Sequence, residues 1–183
     1  MRIHFDQLKE SGLSLEFEEQ PEFFPVLKEM IESGECVFLA PIKTRLQAVR
    51  IAELVEVEGS VETTVRLTCS RCLKRFKTPL HSQFALTYTK APPAVPQAAD
   101  GQEIELSAAD MGMVHFKGEV INLQDSLQEQ LVLAFPLRPL CRETCKGLCP
   151  RCGADLNTSP CNCAPPPFNS RFAALKDLKL GRT

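Results

Sequence analysis

Tryptophan is absent from this 183-residue chain, and tyrosine occurs once, at Tyr88. Stacking of bases on aromatic rings would therefore fall to phenylalanine, so a platform for single-stranded nucleic acid is not favoured. No stretch approaches the roughly 20 apolar residues of a membrane-spanning helix. The opening Met1-Arg-Ile-His-Phe-Asp lacks a charged segment followed by an apolar run, so no secretory signal is expected. The three histidines, His4, His81 and His115, are isolated, which suits surface or core positions better than metal ligation. There is no phosphate-cradling glycine-rich loop, no G-x-S-x-G elbow and no H-E-x-x-H. Acidic residues are scattered without an evident partner. These absences argue against an enzyme and leave no small-molecule substrate evident.

What remains is an ordinary globular composition, 44% hydrophobic, of a length that suits one domain or one domain plus a small module. The net charge of −2 hides an uneven distribution. Residues 1–60 carry 6 Lys/Arg against 12 Asp/Glu, and residues 91–135 carry 1 against 7. Residues 61–90 reverse this with 6 against 1, and residues 136–183 with 8 against 3. The two basic segments also hold the clustered cysteines. Their charge either neutralises anionic metal–thiolate centres or faces a polyanion such as RNA.

Eight of the nine cysteines sit at metal-ligand spacings. Cys69-Ser-Arg-Cys72 lies mid-chain, and Cys141-x3-Cys145-x3-Cys149-Pro-Arg-Cys152-Gly is followed by Cys161-Asn-Cys163. Tetrahedral Zn²⁺ takes four thiolates, and a close pair supplies two from one tight turn, so two Zn²⁺ per chain are expected. Disulfides, an iron–sulfur cluster or a redox dithiol are the alternatives. Disulfides suit exported chains, and a redox Cys-x-x-Cys normally opens a helix after a strand rather than joining two strands. Two groupings are open. In the first, Cys69/Cys72 joins Cys141/Cys145, and Cys149/Cys152 joins Cys161/Cys163. In the second, Cys141, Cys145, Cys149 and Cys152 form one site and the other four the second. The first is preferred, because the Cys149–Cys152 knuckle finds the Cys161/Cys163 pair nearby. Four thiolates close the coordination shell, so both sites read as structural. Cys36 stands alone and reads as a small buried hydrophobe.

The strongest strand signal is the alternation of Val55, Val57, Gly59, Val61, Thr63, Val65 and Leu67 with polar residues. A second alternating run, Phe76 to Tyr88, follows the Cys69–Cys72 turn, so the pair occupies the tip of a long β-hairpin. Gly59 marks a bulge or a strong twist. Residues 3–8 and 36–48 read as strands, the latter edged or bulged at Pro41. Short strands are expected near Glu103–Leu106 and Val114–Ile121. Pro21–Ser33 reads as a helix stopped by Gly34. A second helix follows Asn122, with Leu127, Leu131, Ala134 and Phe135 on its apolar face and Pro136 at its end. Ala91–Gly101 reads as an exposed loop and Phe168–Thr183 as a basic, weakly amphipathic tail. The expected class is α+β: a twisted antiparallel sheet with a long hairpin, one or two packing helices and a small zinc-bound C-terminal module. The expected division is a sheet domain over 1–135, a Cys-rich zinc module over 136–167 and a tail over 168–183.

Together, Gly59…Cys69-Ser-Arg-Cys72-Leu73…Phe76 and Phe135-Pro-Leu-Arg-Pro-Leu-Cys141…Cys149-Pro-Arg-Cys152-Gly-Ala-Asp-Leu-Asn157…Cys161-Asn-Cys163 resemble the signatures of one family. It is the YceD-like large ribosomal RNA subunit accumulation proteins, and Asn169–Lys179 is similar to its closing segment. Some members keep the hairpin pair, carry histidine where this chain has Cys141 and Cys145, and lack the later four ligands; that pattern favours the first grouping. The resemblance implies a role in accumulation of large-subunit (23S) rRNA, hence in ribosome assembly, in a bacterial cytoplasmic or plastid setting. It implies no catalytic mechanism. A ribosomal RNA or ribosomal assembly protein is the implied partner. Arg71, Lys74, Arg75, Lys77, Arg142, Lys146 and Arg151 are the candidate contacts, with charge balance against the thiolates as the competing reading. A protein–protein adaptor with no RNA contact is the alternative function.

Overall fold

The computed structural model describes residues 1–8, 12–90 and 113–163. The expected 91–101 loop, the strand near Glu103–Leu106 and the 168–183 tail lie outside the described residues.

The centre of the molecule is the long hairpin. β5 (Leu54–Thr68) and β6 (Arg75–Thr89) pair antiparallel over fifteen residues each, from Leu54↔Thr89 to Thr68↔Arg75. At about 3.3 Å per residue this arm is about 50 Å long. The alternation seen in the sequence becomes two faces. Val55, Val57, Val61, Val65 and Leu67 of β5, with Leu80, Phe84 and Tyr88 of β6, are buried on one side. Glu56, Glu58, Lys77 and His81 lie exposed on the other.

Around the hairpin the sheet runs β2-β4-β5-β6-β7, with β3 also paired to β5. β4 (Ile42–Ile51) reaches β5 through a two-residue turn, where Ala52 takes a left-handed φ of 54°. β2 (Leu13–Glu19) borders β4. β3 (Val37–Phe38) is separated from β4 by Leu39–Pro41, so the expected 36–48 strand is broken at the proline, which has no N–H for the ladder. β7 (Met113–His115) pairs with β6 in parallel, the one departure from an antiparallel sheet among the described strands. The expected strand at 3–8 is shorter: β1 (Arg2–His4) pairs with β8 (Val120–Asn122), and Phe5–Gln7 turns as a 3-10 helix. Gly118, at φ 78°, separates β7 from β8.

Among the described residues, two helices cover the buried face. α1 (Pro25–Glu32) follows a 3-10 turn at Pro21–Phe23, starts on Pro25 at its first position and ends before Gly34 at φ 77°. α2 (Gln124–Leu133) begins two residues after Asn122, whose Oδ1 accepts the Gln124 N–H at 3.2 Å. Leu27 of α1 and Leu127 and Leu131 of α2 join Phe24, Ile42, Val55, Val57 and Val61 in the core. Each such side chain contributes about 1.5–3 kcal/mol on burial. A second apolar cluster, Cys36, Val65, Leu67 and Leu80, continues up the hairpin. Phe76 packs against both this cluster and the cysteines at the tip, so apolar contact is continuous from core to tip. Among the described residues no helix is long and apolar enough to cross a membrane.

Gly59 is not a bulge: the β4–β5 and β5–β6 registers run through it unbroken. Its role is close approach. A Cβ there would lie 2.4 Å from the Arg45 carbonyl oxygen and 2.8 Å from Leu46 Cβ.

Candidate metal centres

The hairpin tip is a knuckle built by two backbone hydrogen bonds. Leu73 N–H donates to the Cys69 carbonyl at 3.0 Å, and Cys69 N–H to the Lys74 carbonyl at 2.9 Å. The second Cys-x-x-Cys repeats the pattern. Gly153 N–H donates to the Cys149 carbonyl at 2.9 Å, and Cys149 N–H to the Ala154 carbonyl at 2.8 Å. The fifth position of each knuckle is left-handed, with φ 58° at Leu73 and 72° at Gly153. This turn points both sulfurs of a pair to one side and lets backbone N–H groups face them, as Arg151 N–H faces Cys149 Sγ at 3.5 Å.

The segment after α2 folds back onto the tip. Ser70 N–H donates to the Pro139 carbonyl at 2.8 Å, and Leu148 N–H to the Arg71 carbonyl at 3.1 Å. Arg71 Nη1 donates to the Cys145 carbonyl at 2.8 Å. Gly147 passes so close that a Cβ would lie 3.0 Å from the Arg71 carbonyl oxygen, and its φ of 76° suits glycine.

These contacts bring eight sulfurs into two groups of four: Cys69, Cys72, Cys141 and Cys145, and Cys149, Cys152, Cys161 and Cys163. Within each group all sulfurs lie within 4.8 Å of one another. This is the grouping that joins the hairpin pair to Cys141/Cys145. Four sulfurs on a tetrahedron of 2.3 Å metal–sulfur bonds would be about 3.8 Å apart. Cys69–Cys145 is 3.8 Å and Cys72–Cys141 is 3.7 Å. None of the nine cysteines is in a disulfide. The donor set and its spacing fit metal ions of the tetrahedral, thiophilic kind. The first cluster is enclosed, with Cys69, Cys72 and Cys145 buried; in the second, Cys152 is exposed and Cys161 and Cys163 half-buried.

The electrostatics of each cluster are split. Burial opposes ionisation of Cys69, but N–H groups of Cys141, Cys72 and Arg71 outweigh it and bring its thiol down to about 6. N–H groups of Cys152 and Arg151 bring Cys149 down to about 6. Burial and neighbouring thiols push Cys141 up to about 12, and hydrogen bonding with Cys152 followed by burial pushes Cys163 up to about 12. Without a cation, four close thiols resist joint ionisation; a bound metal removes that obstacle. Cys36, the residue before β3, is buried against Val65, Leu67 and Leu80, and its thiol is raised, first by burial and then by Glu35.

Of the candidate basic contacts, three are engaged within the molecule. Arg71 holds the Cys145 carbonyl, Lys74 Nζ pairs with Asp155 Oδ2 at 2.7 Å, and Arg142 Nη2 donates to Asn157 Oδ1 at 2.9 Å. Arg75, Lys77, Lys146 and Arg151 are exposed. Arg66, not among the candidates, lies directly opposite Lys77 on the exposed face. Counting outward from the hairpin tip would have found it. Nothing in the spacing of Asp155 and Asn157 announces that Asn157 reaches Cys145 or that Asp155 pairs with Lys74 at the hairpin tip.

An α+β scaffold whose hairpin tip is joined to a later segment by four cysteines, with a second four-cysteine cluster beside it, defines a cysteine-stapled sheet protein with two candidate metal sites. Residues 57–179 match the family model of the large ribosomal RNA subunit accumulation protein YceD, and the chain belongs to that family. It is 25% identical over 156 residues to the large ribosomal RNA subunit accumulation protein YCED homolog 1, chloroplastic, of Arabidopsis thaliana, covering 76% of this chain and 49% of the relative. The Zea mays protein of the same name is 27% identical, covering 68% of this chain and 49% of the relative. An uncharacterized protein of Mycobacterium leprae is 31% identical, covering 66% and 52%. The chain thus spans about half the length of these relatives. No solved structure matches it.

Proposed function

We propose that this protein is a non-enzymatic zinc-binding factor of the bacterial cytoplasm that supports 23S rRNA accumulation and ribosome assembly by binding pre-rRNA. The family name supplies the process. Zinc is the metal of choice because both donor sets are four cysteine sulfurs gathered within 4.8 Å of one another, the set tetrahedral zinc takes. Cys69, Cys72, Cys141 and Cys145 would hold one ion, and Cys149, Cys152, Cys161 and Cys163 the other. Bound zinc supplies cross-links, worth about 10–16 kcal/mol per site in zinc-finger peptides at neutral pH. A closed four-thiolate shell leaves no position for a reacting water.

The observation that carries the RNA reading is a set of unpaired cations on the distal hairpin. Arg66 and Lys77 face each other directly across β5 and β6, and Arg75 lies one row beyond, opposite Thr68. Like charges directly opposite destabilise a sheet. Mid-sheet cations on the same face are paired: Lys43 with Glu18 at 3.3 Å, and Arg45 with Glu16 at 2.8 Å. Among the described residues, Arg66, Arg75 and Lys77 make no ion pair. A phosphate backbone lying along the hairpin would relieve the repulsion.

The test is binding to 23S precursor fragments across a salt series. Log affinity is expected to fall steeply with log salt, by roughly 0.9 for each phosphate contact. The Arg66→Gln/Arg75→Gln/Lys77→Gln triple variant is expected to lower that slope by roughly 2–3. Salt-independent binding, or an unchanged triple variant, would overturn the reading. It would favour the adaptor instead, to which exposed Leu73 at the tip and fully exposed Leu137 in the segment docked there also point.

A further inference from the structure

The loop that spans the second cluster, residues 153–160, carries side chains that reach the first. Asn157 Nδ2 lies 3.5 Å from Cys145 Sγ. Its Oδ1 accepts the Lys146 N–H at 2.9 Å and Arg142 Nη2 at 2.9 Å, so it also holds the turn between Cys141 and Cys145. Asp155 holds Asn157 in place: its Oδ1 accepts from Asn157 N–H at 2.9 Å and from Asn157 Nδ2 at 2.6 Å. Its other oxygen pairs with Lys74 of the hairpin tip at 2.7 Å. The backbone agrees, with Leu156 N–H donating to the Gly147 carbonyl at 3.0 Å and Leu148 bridged to Asp155.

We infer that Asn157 is a positioning residue for the first metal site, and that it couples the two sites energetically. The inference rests on reading the clusters as metal sites. An N–H aimed at a thiolate disperses its charge and orients the sulfur, and such outer-shell donors govern metal affinity. The loop bearing Asn157 is closed at its ends by Cys152 and Cys161, ligands of the second site. Metal in the second site therefore holds Asn157 against the first, and linkage makes the effect reciprocal. Each site therefore binds its metal more tightly when the other is filled.

The experiment loads the full chain with cobalt(II), whose thiolate charge-transfer bands count bound sulfurs, and withdraws it with a competing chelator. Wild type is expected to bind two ions. Asn157→Ala leaves all eight ligands intact and is expected to bind two, one of them about 10- to 100-fold more weakly. Asn157→Asp keeps the acceptor oxygens but lacks the N–H facing Cys145, and is expected to weaken the same site. Cys149→Ser/Cys161→Ser removes the second site and is expected to weaken the first by a similar factor. Adding Asn157→Ala to that pair should then change little, because the loop is already released. First-site affinity equal to wild type in Asn157→Ala, or in Cys149→Ser/Cys161→Ser, would overturn the coupling. A wild-type chain that binds no cobalt would instead overturn the metal reading, and the coupling with it.

Discussion

Leu73 occupies the left-handed region at φ 58° where the second knuckle uses Gly153. A left-handed conformation costs a branched L-residue about 1 kcal/mol, and Leu73 is 63% exposed, so little packing offsets it. Leu73→Gly is expected to raise the unfolding free energy by about 0.5–1 kcal/mol, read from the denaturant midpoint at constant metal load. Tyr88 provides a second residue-level test because it is the single tyrosine. Burial against the core raises its hydroxyl above the ordinary 10.0. A folded value above the unfolded one means a contribution present below pH 10 and lost as pH rises through the folded value. Tyrosinate absorbance of the native protein should therefore appear above pH 10, later than in the denatured chain. Coincident titrations would show Tyr88 to be solvated.

At the scale of elements, the hairpin is both scaffold and lever. Its inner residues reach from the helix-covered core to Phe76 under the cysteines, so the tip is held by the same strands that build the sheet. Gly59 is the point on which the middle of the sheet depends. Gly59→Ala would push a methyl into the Arg45 carbonyl and Leu46, both on neighbouring strand β4. A loss of roughly 1–3 kcal/mol is expected. A neutral Gly59→Ala in thermal or denaturant unfolding would show that the strands separate there without cost.

The whole molecule has two sources of order. The sheet and helices share an apolar core drawn from residues 3–131, whereas the segment beyond Pro136 is held to the tip chiefly by the cysteine clusters and the hydrogen bonds around them. Stripping metal with a chelator is expected to expose the amides of residues 139–163 to rapid hydrogen exchange, while β5 stays protected. Native mass spectrometry should show two zinc ions lost on the way. Global unfolding of β5 at the same chelator concentration would show instead that the staples support the entire fold.

Much of this was legible in the chain itself. Period-2 alternation from Val55 to Tyr88 announced the hairpin, and the Cys-x-x-Cys between its halves placed a thiolate pair at the tip. These are local features: strand periodicity and ligand spacing are properties of neighbouring residues. β2 is faint in the sequence: Leu13, Leu15 and Phe17 alternate with polar residues, but three apolar side chains are a weak periodic signal, and the pairing with β4 is what makes them a strand. The gathering of eight sulfurs into two particular sets, the parallel return of β7, the Arg66–Lys77 opposition and the reach of Asn157 to Cys145 were decided by the tertiary structure. Each depends on which distant segments meet, as Lys74 meets Asp155 across the tip. A linear pattern carries the period of an element and the chemistry of its side chains; the partner across the fold is chosen by packing and hydrogen bonding between segments far apart in the chain.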